Sequence, residues 1–174
     1  MAENRHLVVA VFDNEAAATD AAEWLKKWEG MNRDVDDIRF GAMGILTADK
    51  DGEIKVRRVG RHDAAAGAGV GLVIGALAGA LTAGVGVLGG LAVGALAGGV
   101  GGGLIRKGLG MHEGDLADLT DQLCSGRAAV AIVVHERDVK AVTEQLVDLG
   151  GKTAVYECSL EVLEQESGPG KTGP

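Results

Sequence analysis

The chain has 174 residues, 29 of them Gly but only 2 Pro, with 47% hydrophobic but only 3% aromatic residues and a net charge of −8. One compact domain, or one domain carrying a large insertion, is the expected scale. Collagen is excluded by the lack of Pro and of a three-residue Gly period, simple disorder by the high apolar content, and a disulfide scaffold by the presence of only two cysteines, Cys124 and Cys158. The first residues lack the basic, apolar and small-residue succession of a secretory signal, so a reducing cytoplasm, or the cytoplasmic side of a membrane, is the expected setting.

In chain order, Leu7–Phe12 (LVVAVF) is a continuous apolar run that suits a central strand. Asp13 and Asn14 are helix-start residues, after which Ala17, Ala21, Trp24, Leu25 and Trp28 recur on one helical face up to Gly30. Residues 38–47 and Glu53–Val59 read as two strands joined by the turn Ala48–Gly52 (ADKDG). Asp49 to Glu53 has a faint likeness to a calcium loop. Gly60 stands where the twelfth-position Glu would be needed, so a hairpin turn is the better reading.

From Ala64 to Ile105 the chain runs 42 residues without a charge, with Thr82 as the one polar side chain and 15 of the glycines. Gly67, Gly71, Gly75 and Gly79 recur every four residues, and so do Gly86, Gly90, Gly94, Gly98 and Gly102. Small residues four apart line one face of a helix and let a second backbone approach closely. The spacing predicts two helices, about Ala64–Ala83 and Gly86–Gly103, joined near Gly84. Each is long enough to match a bilayer's hydrocarbon, although such a sequence needs strong packing because Gly disfavours a helix interior by ~1 kcal/mol against Ala. Lys55, Arg57, Arg58 and Arg61 precede the run, and Arg106 and Lys107 follow it. Residues 54–107 thus carry +5 and the rest of the chain −13. A basic collar at the base of an apolar hairpin suits an anionic membrane surface with both termini cytoplasmic.

Beyond the run, Asp115–Leu123 reads as a helix with Leu116, Leu119 and Leu123 on one face, and Ala128–Val134 (AAVAIVV) as a second continuous apolar strand. Val139, Val142, Leu146 and Leu149 mark another helix ending at Gly150-Gly151. Lys152–Leu160 reads as the last strand, and Ser167–Pro174 as a flexible tail. Two βαβ halves with apolar first strands predict an α+β fold, a ferredoxin-like split βαβ sandwich carrying an inserted glycine-zipper helical hairpin. The expected organisation is residues 1–60 (first half and hairpin strand), 61–110 (insert), 111–166 (second half) and 167–174 (tail).

Little chemistry is nominated. Gly84-Val-Gly-Val-Leu-Gly89 fits GxGxxG, but in a glycine-rich run, without a preceding strand or a following acid. Gly168-Pro-Gly-Lys171-Thr172 lacks the first glycine of a P-loop, because Gln165 stands there. His6, His62, His112 and His135 lack metal-ligand spacing. The cysteines are expected to be buried thiols. The acidic balance argues against nucleic acid. No catalytic residue, cofactor or metal is expected.

The order of LVVAVFDNEAAA at residues 7–18, the hairpin Asp49-Lys-Asp-Gly-Glu-Ile-Lys-Val56, the glycine-rich insert and a closing AAVAIVVHE strand, helix and Gly150-Gly-Lys152 resembles a bacterial domain-of-unknown-function family of predicted membrane proteins. The opening is also similar to that of small general-stress proteins with glycine zippers. The likeness spans about residues 7–160, although the insert here carries fewer large apolar residues than its relatives. It implies membrane association and supplies no catalytic residues. The expectation is a non-enzymatic, self-associating protein, anchored in the cytoplasmic membrane through the hairpin, with itself and an anionic bilayer as partners. The alternatives are a soluble homo-oligomeric ring or hollow shell with the hairpins buried between subunits, and a ligand-sensing domain.

Overall fold

The computed structural model describes residues 5–35, 37–60, 68–89 and 100–167. They form a mixed α+β fold: a five-stranded antiparallel sheet with six helices. The strands are β1 (Arg5–Phe12), β2 (Ala42–Ala48), β3 (Ile54–Val59), β4 (Ala128–His135) and β5 (Lys152–Cys158). The helices are α1 (Glu15–Asn32), α2 (Ala68–Gly89), α3 (Val100–Leu109), α4 (Glu113–Cys124), α5 (Val139–Asp148) and α6 (Leu160–Ser167).

The sheet order is β3-β2-β4-β1-β5. The two continuous apolar runs are β1 and β4, which lie side by side inside the sheet, with Leu7 opposite Val133 and Val9 opposite Ala131. Their composition follows from burial on both faces. Leu7, Val9 and Val11 point with Ala129, Ala131 and Val133 into one core. Val8, Ala10 and Phe12 point with Val130, Ile132 and Val134 into the other. Strand alternation therefore splits one sheet between two hydrophobic layers.

Helices α1 and α5 close the second core through Ala18, Ala21, Ala22 and Leu25, and through Val142 and Leu146. Asn14 starts α1 as expected, its Oδ1 accepting from the Ala17 amide at 2.8 Å. The first core is closed by α2 and α4, with Leu163 of α6 at its margin. Leu116, Leu119 and Leu123 are all buried there. Helix α3 ends on Gly110, whose φ of +66° closes a Schellman turn: the Gly110 amide donates to Lys107 O and the Met111 amide to Arg106 O.

Two expectations change. The expected break near Gly84 is absent, because α2 continues through Gly84 and Gly86 to Gly89. No Pro interrupts the run, and the large apolar residues upstream hold the helix to the sheet. Among the described residues the second helix covers Val100–Leu109, ending past the expected Gly103 and carrying Arg106 and Lys107 in its last turn. The region around 90–99, and with it any junction between the two helices, lies outside the described residues.

Candidate interaction face

Helix α2 has two contrasting sides. Val73, Ile74, Leu77 and Leu81 form one stripe, all at 2% exposure or less, packed in the core with Leu46 and Ile54 of the sheet. Gly44 in β2 permits this approach, since a Cβ there would come 3.1 Å from Ile74 Cγ2 and 3.2 Å from Val56 Cγ1. Sequence reasoning missed Gly44, and the signal was available: a glycine inside a strand often marks close approach by another backbone.

On the opposite side stand Gly71, Gly75 and Gly79. Among the described residues, a Cβ built on any of them would meet nothing within 4 Å, and Gly75 and Gly79 are exposed. Thr82 continues this side, its hydroxyl donating back to Ala78 O at 2.9 Å. The face is thus free of charge, side-chain bulk and unpaired side-chain polar groups over its described length. Gly86 and Gly102 are on the backbones of α2 and α3, while Gly67, Gly90, Gly94 and Gly98 lie outside the described residues.

The structure does not gather the collar cations into one ring. Lys55, Arg57 and Arg58 are on β3, the strand at one edge of the sheet. Arg106 and Lys107 are on α3, which packs on α6, on α2 and on β5 at the other edge. Acids of the chain hold several of them. Lys55 Nζ is 3.1 Å from Asp49 Oδ2, Arg57 Nη2 donates to Thr19 Oγ1 at 2.6 Å and lies 4.0 Å from Glu15, and Arg106 Nη1 is 3.2 Å from Glu113. Arg61 lies outside the described residues. The cations of β3 and of α3 lie apart because α2 is packed on the sheet instead of standing away from it.

The turn before β3 is a hairpin turn. The Asp49 carboxylate accepts from the Asp51 and Glu53 amides at 2.9 and 3.0 Å. These bonds and Lys55 hold it below the usual carboxylate range, the contact with Lys55 being the largest cause. The segment Gly84–Gly89 is helical, without the strand and turn that a dinucleotide fingerprint requires. Among the described residues no three His, Cys, Asp or Glu side chains form a metal-binding group. Arg5 Nη1 and His135 Nε2 are 2.8 Å apart at one end of the sheet, whereas His112 caps α4, its amide donating to Asp115 Oδ2 at 2.9 Å. His62 lies outside the described residues.

Cys158 is buried, and burial pushes its thiol up to about 12, which keeps it protonated and unreactive. Cys124, expected to be buried, is exposed instead at the end of α4, because Leu123 takes the inward position there. An open cleft of about 440 Å³ lies where α3 meets α4, between Arg106, Lys107, Met111, His112 and Glu113. Of its cations, Arg106 is countered by Glu113.

Comparisons of the chain with protein-family models, curated proteins and solved structures gave no match. Among the described residues no helix is long and apolar enough to cross a membrane.

Proposed function

We propose that this is a non-enzymatic, self-associating protein whose copies meet through the glycine side of α2. The supporting observation is the division of that helix: its large side chains are spent on the sheet, while Gly71, Gly75 and Gly79 face outward with open space above them. A bare helix side admits a second backbone closely. The favoured occupant is the same helix of another copy, as in a soluble homo-oligomer. Interleaving of β1-α1-β2 with β4-α5-β5, each half contributing an inner and an outer strand, supports a ferredoxin-like sandwich as the frame. β3 extends it, and the glycine run supplies cover for its second face.

Insertion of the glycine run into an anionic bilayer is the second reading. The uncharged stretch 64–105 supports it, as does the resemblance to predicted membrane proteins. Detergent-free expression followed by fractionation and an alkaline carbonate wash separates the two. A homogeneous soluble oligomer supports assembly, and retention in the washed pellet supports insertion. In the soluble case Gly75→Leu lowers the mass measured by light scattering. An unchanged mass overturns the glycine contact.

A further inference from the structure

The two edges of the sheet are treated differently. β3, at one edge, is guarded by the exposed cations Lys55, Arg57 and Arg58, which discourage pairing with another strand. β5, at the other, pairs among the described residues only with β1. Gly108–Met111 abuts the far end of β5: the Ser159 amide donates to Gly108 O at 2.8 Å, and Gly110 packs directly on the Glu157 carbonyl. Residues 152–156 keep an outer edge that no strand covers among the described residues, and their middle, Thr153-Ala-Val155, bears no charge.

This edge is also the apolar one. Val155 is 41% exposed and Val147 of α5 is 52% exposed. Gln145 of α5 accepts from Trp24 Nε1 at 3.2 Å, which puts Gln145 on the α1 flank of its helix. Two residues further round a helix is ~200°, so Val147 is on the flank towards β5. Two exposed valines therefore border the uncharged middle of this edge, which is uncovered among the described residues.

The geometry points to a second copy of this chain as the occupant: β5 pairs antiparallel with β5 of another molecule about a two-fold axis through Ala154, giving a continuous ten-stranded sheet. The register is self-complementary. Ala154 lies opposite Ala154, and Thr153 opposite Val155, so a β-branched pair forms on each side of the axis. Lys152 of one copy lies opposite Tyr156 of the other. Tyr156 stands beside acidic groups: burial, and then Asp115 and Asp118 of α4, raise its hydroxyl above the ordinary value. Lys152 is exposed and makes no ion pair among the described residues. Pairing sets that cation over a tyrosine ring beside two carboxylates, twice per dimer, which joins a cation–π contact to charge complementarity. Combined with the glycine side of α2, this second two-fold contact gives each subunit two different isologous faces, the requirement for an assembly larger than a dimer.

Two variants of the full chain test the edge. Val155→Lys places a guarding charge on β5 of the kind β3 already has. It is expected to lower the mass seen by light scattering about two-fold at equal concentration, without changing the circular dichroism. Ala154→Cys in a Cys124→Ser background is expected to form a disulfide-linked dimer under mild oxidation, because directly opposed antiparallel residues lie within disulfide reach. Adding Gly75→Leu should leave that cross-link intact, which separates this contact from the α2 contact. Wild-type mass in Val155→Lys, or absence of the cross-link in Ala154→Cys, overturns the proposal.

Discussion

Helices α1 and α2 cover opposite faces of one sheet, and each does so with a stripe of small or branched apolar side chains. Their outer sides differ. α1 turns Asp20, Glu23, Lys26 and Lys27 to solvent, the ordinary dress of an amphipathic surface helix. α2 turns out Gly75, Gly79 and Thr82 and not one charge over residues 71–82. Covering the sheet does not require this, since α1 covers its face without it. Nor does helix formation, which glycine weakens. The difference separates what the fold demands from what it does not, and the outer side of α2, which the fold leaves unexplained, is the side on which the proposed contact rests.

The largest expected effect comes from the side of α2 that the fold does demand. Leu77 is fully buried between helix and sheet, so Leu77→Ala removes its transfer energy and leaves a cavity. A loss of about 2–5 kcal/mol is expected, measured as a lower urea midpoint with an unchanged slope. A loss within the scatter of surface changes would mean that α2 does not belong to the core, and the contrast with α1 would fail.

Gly110→Ala is expected to come next. Its φ of +66° disfavours any side chain, and a Cβ would run into the Glu157 carbonyl. The left-handed backbone alone costs about 1–3 kcal/mol for a non-glycine residue. This glycine is needed for shape, unlike those on α2, so the two kinds should separate in one denaturation series. Equal tolerance of alanine at Gly110 and at Gly79 would remove the distinction.

Much of the sheet was legible because its signals are local. A capping Asn14, a turn at Asp49 and two continuous apolar runs each follow from a few neighbouring residues. The same holds for α4, whose three leucines point as their spacing predicts. The seat of α2 was not legible in the same way. In a stretch where nearly every residue is apolar, periodicity marks the glycines but not what the other side touches. The clue lay elsewhere: β1 and β4 are apolar on both faces, so the sheet needed a second cover, and Gly44 made room for it. The placement of the described collar cations was not legible for a related reason. Cations close in sequence to both ends of the run were expected to be close in space, which holds for a hairpin standing away from the sheet and not for a helix lying along it. Cys124 and Leu123 show the smallest scale of the problem, since an apolar neighbourhood in sequence did not decide which of two adjacent residues turned inward.

The smallest change probes the comparison most finely. Gly75→Ala adds one methyl group to an exposed helix position with nothing within 4 Å. For a helix side that meets only water, alanine stabilises by up to ~1 kcal/mol, and the melting temperature rises at every protein concentration. For a side that packs on a second backbone, the same methyl holds the helices apart. The folded subunit still gains, but the oligomer loosens, so melting rises in dilute samples and falls in concentrated ones. Thermal melts across a dilution series, paired with light scattering, read both terms from one variant. A uniform rise with unchanged mass would make α2 an unusually bare surface helix and return its outer side to the class of α1. Opposite signs at the two ends of the series would fix the glycine side as a contact, because intrinsic helix preference alone does not depend on concentration.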